Sequence, residues 1–274
     1  THVECPMHGW VLNLTNGNYE NPKNGGQVQK PLNVVKSNDC YHIYDKKPSF
    51  DWIDDEKLSI SKEELIIEHF SHACAEFKCG DFKIITDPWC VGPAFIKGWW
   101  LSQSPPKNWL NRILSADIIF ISHNHSDHLN IPTLKLIRDK NPNIQIMIPE
   151  FGNDSCEIIL KRLGFNNIIK QEFLSKKQLD NNLEILLLKD SSGRDDSGIL
   201  INYKGWKILN TVDSQNLNDN HLPKVDVLMS SFASGASGYP VCWEGISDNN
   251  MEKILNRKRI AIKKRILETV KITS

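Results

Sequence analysis

His123, His125, Asp127 and His128 crowd into the run Ser122-His-Asn-His-Ser-Asp-His. In an extended loop, residues two apart project the same way, so His123 and His125 can grip one ion. Asp127 and His128 then offer a carboxylate and an imidazole to a neighbouring ion. Imidazole with carboxylate suits zinc, iron or manganese. Three surface histidines by chance would be the bland reading, and this spacing directly after an apolar run, residues 117–122, argues against it. Cys5-Pro-Met-His8 is a second candidate, a C-x-x-H pair. That spacing alone arises often by chance.

Such groups need a scaffold, and the chain is long enough for one large domain or two smaller ones at 274 residues. Hydrophobic residues make up 40% and charged residues 24%, an ordinary globular balance. Lys plus Arg equals Asp plus Glu at 33 each, which argues against a nucleic-acid or anionic-membrane binder. No apolar run approaches the length of a membrane span, and the start shows no signal-peptide pattern. The seven cysteines are odd in number and scattered, which predicts free thiols in a reducing, cytoplasmic compartment.

Residues 1–45 read as short strands with turns, Asn16-Gly17 marking a hairpin. Residues 46–64 read as a polar linker, and residues 65–274 as a second domain. In that domain, residues 65–78 and 82–86 are predicted to be paired strands, with His72 on the first. A Pro- and Trp-rich loop follows over 88–109, then a buried strand over 117–122. Asn130 is predicted to cap a helix with Pro132 in its first turn. Another helix is expected over 154–163, with Glu157 in the capping-box position and Gly164 as its stop. Further strands are expected over 145–148, 183–189, 199–203, 207–212 and 225–229. A basic helix is expected over 251–270, with Met251, Leu255, Ile262 and Ile266 on one face. Its charges read as a solvated face, with an acidic partner or a nucleotide phosphate as the lesser alternative.

The motif at 123–128 and the strand before it resemble the metallo-β-lactamase superfamily. The resemblance implies an α/β fold, an αββα sandwich with metal at one end of its sheets. It also implies a bridging aspartate after a later strand, a place that Lys207-Ile-Leu-Asn-Thr-Val-Asp213 fits, so Asp213 is the expected further ligand. That superfamily supplies a histidine between the two motifs, and residues 190–197 contain none; Asp190, Asp195 or Asp196 could stand in. No histidine follows His221 either, so one well-held ion or an incomplete site is expected. His72, ahead of Asp87-Pro-Trp89, resembles a branch of the superfamily with a histidine-alanine strand, which implies a place at the active-site rim.

Cys5 and His8, continued by Trp10, Leu12, Asn16-Gly17, Tyr19 and Asn21-Pro22, resemble the second half of a Rieske iron–sulfur site. Such a centre takes two cysteines and two histidines, so a further C-x-H is expected upstream of Cys5. The small first domain is thus expected to be the C-terminal part of an all-β Rieske-like domain. A Rieske half-motif ahead of this kind of metal domain resembles the CMP-N-acetylneuraminate hydroxylase family. Supporting stretches are His72-Ala-Cys74, Asp87-Pro-Trp89, Gly92-Pro-Ala-Phe95, Lys97-Gly-Trp-Trp100 and Phe232-Ala-Ser-Gly-Ala-Ser-Gly238. Members are about twice as long, so an internal portion is expected.

This resemblance implies a monooxygenase that hydroxylates the N-acetyl group of a nucleotide sugar, using a [2Fe–2S] cluster in the whole protein. It also implies iron, with zinc as the alternative, at the 123–128 site, and an electron carrier such as cytochrome b5 or a ferredoxin. His72 and Asp127 are then the expected catalytic residues, and Lys97, Trp99 and Trp100 the expected substrate-binding loop. Two rivals stay open: a metal-dependent hydrolase (phosphodiesterase or lactonase), and a non-catalytic domain with a degenerate metal site.

Overall fold

The computed structural model describes residues 2–4, 11–13, 19–21, 33–37, 40–44, 57–231 and 244–274. Cys5, His8, the Asn16-Gly17 turn, most of the expected linker and the run Phe232–Gly238 lie outside the described residues. The chain divides into two compact units, Thr1–Ser49 and Phe50–Ser274. In the first, β1 (His2–Glu4), β2 (Val11–Asn13) and β3 (Tyr19–Asn21) form an antiparallel sheet, and β4 (Asn33–Ser37) pairs with β5 (Cys40–Tyr44). The β2–β3 pairing matches the hairpin expected there.

The second unit carries two larger sheets. In the six-stranded sheet, β6 (Leu65–Ser71), β7 (Cys74–Cys79) and β8 (Phe82–Thr86) run antiparallel. Beyond them β9 (Ile118–Phe120), β10 (Ile146–Pro149) and β11 (Ile168–Gln171) add in parallel. The five-stranded sheet runs in sequence order: β12 (Lys177–Asp180), β13 (Leu183–Lys189), β14 (Ser197–Tyr203), β15 (Trp206–Asn210) and β16 (Val227–Met229). The helices are α1 (Trp109–Leu114), α2 (Ile131–Lys140), α3 (Ser155–Leu163) and α4 (Asp248–Thr273).

Alternation along the strands decides the layers. Ile84, Ile118 and Phe120 face the second sheet and meet Ile185, Leu187, Ile199, Ile201 and Ile208 in one core. Their neighbours Ile85, Ile119 and Ile121 point the other way and pack on Ile113 of α1, Leu134 and Ile137 of α2, and Leu160 of α3. Leu186, Leu188, Leu200 and Leu209 form a third cluster on the far face of the second sheet, covered by Leu217 and its neighbours Leu174, Leu222 and Val225. Strands buried on both faces read as apolar runs, as β9 and the Ile199–Ile201 stretch of β14 do.

Three local expectations are corrected. Residues 65–78 are a hairpin of β6 and β7, with His72 in its turn at φ 47°. The His69 ring Nε2 donates to the His72 carbonyl at 2.7 Å and holds that left-handed turn without a glycine. Residues 109–114 are helical, because a helix lets Trp109, Leu110, Ile113 and Leu114 pack together on the core, while Arg112 pairs with Glu68 and Glu76. The capping box at α3 does not form: Asp154 makes no side-chain cap bond, and Glu157 pairs with Lys161 and Lys170 instead. Gly164 does end α3, at φ 94°. The four-residue strands β11 and β12 were not expected, since Ile-Ile-Lys-Gln and Lys-Gln-Leu-Asp carry too little apolar pattern to stand out.

Candidate metal centre

The 123–128 run forms the loop between β9 and α2, and its ends are tied down. Asn130 caps α2 by accepting from the Thr133 backbone N–H at 3.0 Å, and it donates to the Ser126 carbonyl at 3.0 Å. Ser126 Oγ in turn accepts from the Phe95 N–H at 2.7 Å. These bonds hold the loop between the capped helix and the tryptophan-bearing segment.

Asp87 ends β8 in a left-handed conformation, φ 38°, and is fully buried. Its Oδ1 accepts the Ser122 N–H at 2.7 Å, and its Oδ2 accepts the Ser122 hydroxyl at 2.7 Å and His128 Nδ1–H at 3.0 Å. With its proton committed to Asp87, the Ser122 hydroxyl is left to accept from His123 Nδ1–H, 2.9 Å away. Both imidazoles are therefore held in the tautomer whose lone pair sits on Nε2. One carboxylate sets the orientation of two candidate ligands.

Those lone pairs point into three overlapping groups, whose ligand atoms lie within 4.8 Å of one another. His72, Asp127 and His128 make the first: Asp127 Oδ2 is 3.0 Å from His72 Nε2 and 3.6 Å from His128 Nε2. His123, His125 and Asp196 make another: His123 Nε2 is 2.8 Å from His125 Nδ1 and 3.5 Å from Asp196 Oδ1. Asp213, just after β15, joins His123 and His128 in the third, with Oδ2 3.3 Å from His128 Nε2. The arrangement is two three-residue sets with Asp213 beside both.

The electrostatics fit a cation. Burial, with His128 and His125 nearby, pushes His123 down to about 2, so its ring is neutral and its lone pair is available to a cation. Burial works against a charge on His128, but the carboxylates of Asp87 and Asp213 outweigh it and raise the ring well above its usual value. Burial likewise opposes ionisation of Asp213, yet the neighbouring His128 ring, 3.3 Å away, holds it well below the carboxylate range. Burial raises Asp196. Asp127 Oδ1 and His128 Nε2 are buried without a hydrogen-bond partner. Buried polar atoms are nearly always satisfied, and a divalent cation would satisfy both.

Of the three aspartates that could replace the missing histidine, Asp196 is the one in the cluster. Asp190 is saturated: it accepts from Ser192, Ser214 Oγ at 2.7 Å, and the N–H groups of Gln215 and Asn216. Those bonds overcome burial and lower its pKa, and its oxygens are committed to holding the loop. Asp195 is exposed and bonds Asn153. His72 sits at the cluster itself, as well as at the rim where it was expected.

A cavity of about 790 Å³ adjoins the centre on the His72 and Asp213 side. Trp89, Trp99 and Trp100 line it, together with His69, Gln103 and Asn210. Trp89 and Trp99 meet the His72 ring edge-on, with centroids 5.1 and 6.3 Å away. Lys97 is exposed and does not line the cavity. No described helix is long and apolar enough to cross a membrane.

The sequence profile of the Beta-lactamase superfamily domain matches residues 66–231, which hold every candidate ligand from His72 to Asp213. Several curated relatives bear the name cytidine monophosphate-N-acetylneuraminic acid hydroxylase. The one from Asterias rubens is 38% identical over 251 residues, 89% of this chain and 38% of its own length. That from Cricetulus griseus is 39% identical over 254 residues, 89% of this chain and 44% of its own. That from Danio rerio is 35% identical over 280 residues, 95% of this chain and 47% of its own. The chain thus spans less than half the length of each. With its two packed sheets, its histidine–aspartate loop after β9 and a profile match across most of its length, the chain belongs to the β-lactamase superfamily.

Proposed function

We propose that this chain is the metal-binding portion of a Rieske-type monooxygenase acting on CMP-N-acetylneuraminate. The observation that carries the reading is the pairing of two N/O ligand sets with relatives of that name at 35–39% identity. The reaction is R–CH₃ + O₂ + 2e⁻ + 2H⁺ → R–CH₂OH + H₂O, at the methyl of the N-acetyl group. Iron bound at the centre would supply the redox chemistry that zinc lacks. His123, His125 and Asp196 would hold one ion, and His72, Asp127 and His128 the other, with Asp213 between.

His72 and Asp127 are the catalytic candidates because His72 joins the ligand set to the cavity wall. The edges of Trp89 and Trp99 fix the His72 ring. Trp99 and Trp100 offer faces on which a sugar or base can stack, while Lys97 would act only from the exposed rim. Residues 1–45 would be part of the Rieske-like domain, with Cys5 and His8 as ligands of a [2Fe–2S] cluster, and 46–64 the linker to residues 65–274. Electrons would arrive from a carrier such as cytochrome b5 or a ferredoxin. The buried free thiols of Cys74, Cys79, Cys90 and Cys156 agree with a cytoplasmic setting.

The test supplies the full-length, iron-loaded protein with reduced carrier, dioxygen and CMP-N-acetylneuraminate. Oxygen uptake with a product heavier by one oxygen atom is expected. Cleavage of a phosphodiester or lactone without electrons, and no oxygen uptake, would replace this reading with the hydrolase one.

A further inference from the structure

Asn210 ends β15 on the face turned toward the first sheet. Ile208, two residues earlier on that face, belongs to the core between the sheets. The strand register sets Asn210 beside Ile199 of β14 and Met229 of β16, which pack in the same core. An amide in that row interrupts an otherwise apolar surface. Asn210 is only 7% exposed, and a buried amide is costly unless both of its ends find partners.

One end has its partner. Asn210 Oδ1 accepts the Val212 N–H at 3.1 Å. A backbone N–H can only donate, so the atom facing it is the oxygen, and the amide is fixed with Nδ2 on the other side. Nδ2 makes no hydrogen bond among the described residues, and it is not sealed in as Asp127 Oδ1 is. Asn210 lines the cavity of about 790 Å³, so this donor opens there. His72 and Asp213 line the same cavity, and Ala73, Val212, Leu228 and Met229 give it an apolar wall. Among the described residues, no lysine or arginine is part of that lining.

We infer that Asn210 is a specificity-determining residue whose Nδ2–H donates to a carbonyl oxygen of the ligand in the cavity. A neutral donor on a wall without cations suits a neutral acceptor better than a phosphate, which calls for charged donors. The inference rests on the proposed function in taking that carbonyl to be the one of the N-acetyl group. Its oxygen and its methyl share one carbon. Holding the oxygen at Asn210 therefore keeps the methyl against the apolar wall, in the space that His72 and Asp213 border. A ligand with a hydroxyl in place of the acetamido group leaves the buried donor unpaired. The cytosine carbonyl of the nucleotide is the other source of the same chemistry.

The test is calorimetric titration of the full-length, metal-loaded protein with four probes: CMP-N-acetylneuraminate, its analogue with a hydroxyl in place of the acetamido group, CMP, and free N-acetylneuraminate. Asn210→Asp keeps the acceptor for the Val212 N–H and replaces the donor by an acceptor. Asn210→Ala removes both and adds no charge beside Asp213. In each variant the Kd for the two acetylated probes should rise about tenfold, the loss of one buried hydrogen bond. The Kd for the hydroxyl analogue and for CMP should not change, nor should metal content. Weakening of CMP and the hydroxyl analogue, with N-acetylneuraminate unaffected, moves the contact to the cytosine and overturns the acetyl assignment. Unchanged affinity for every probe in both variants overturns the role of Asn210 and leaves the hydroxylase reading standing. Asn210-dependent binding of N-acetylneuraminate, with no binding of the nucleotide sugar, keeps the contact and sinks the substrate. Equal weakening of all four probes, with a fall in Tm or metal content, makes Asn210 structural and overturns the inference. A wild-type protein that binds none of the four overturns both readings.

Discussion

Asp87 Oδ2 lies 3.0 Å from His128 Nδ1, and neither side chain is exposed to solvent. The bond leaves His128 Nε2 facing the candidate metal-binding groups, and through Ser122 the same carboxylate does so for His123. Asp87→Asn keeps the size and loses the acceptor that fixes both tautomers. Metal affinity is expected to fall about 10- to 100-fold, the usual cost of losing such a partner. Titration with Fe²⁺ or Zn²⁺ against a competing chelator measures it, and unchanged affinity would show that Asp87 does not orient the ligands.

Asp196 and Asp195 are adjacent, and only Asp196 is in the cluster. Asp196→Asn should lower metal stoichiometry or affinity, whereas Asp195→Asn should leave both near wild type. Elemental analysis of the two purified variants decides between them. The double change His123→Ala with His125→Ala, which removes two candidate ligands of one set, should remove most bound metal.

His128 adds a pH dependence. Only its neutral ring can bind metal, and its folded-state pKa is raised above 6.5 by Asp87 and Asp213 despite burial. Apparent metal affinity should therefore rise with pH up to that folded value, with a proton released per ion bound. In the chelated protein the sign reverses. The stabilisation from protonated His128 is complete below 6.5 and is lost as pH rises through the folded value. His123 is already neutral throughout this range. Chelated protein should lose Tm from pH 6.5 upward, and metal-loaded protein should not; thermal melts of both forms check this.

Gly198 in β14 faces the backbone of β15. A Cβ there would come within 2.8 Å of the Asn210 carbonyl oxygen and 2.8 Å of Leu217 Cδ2. Gly198→Ala should destabilise the protein by about 1–3 kcal/mol, as overpacking does. The adjacent Ser197 donates to the Ser122 carbonyl at 2.8 Å, so metal affinity should weaken along with Tm. An unchanged Tm would mean that the sheet gives way more easily than its packing implies.

Four candidate ligands were legible in the sequence because they share one short loop. Alternation of side chains and ligand chemistry act over a few residues, and 123–128 lies within that range. The apolar runs of β9, β13 and β14 and the Asn130 and Gly164 helix boundaries were legible for the same reason. Other outcomes depended on residues far apart in the chain. Asp190 was as plausible a ligand as Asp196 until donors 24 to 26 residues later, from Ser214 to Asn216, took up its carboxylate. The turn at His72 carries no Gly or Asn signal, and its Nε2 meets Asp127 55 residues on, so its place in the cluster appears only once the loops at the end of the first sheet come together. Arg265 looked like one charge on a solvated helix until α4 brought it against Ser231. Spacing determined which residues could bind a metal; long-range hydrogen bonds decided which of them are free to do so.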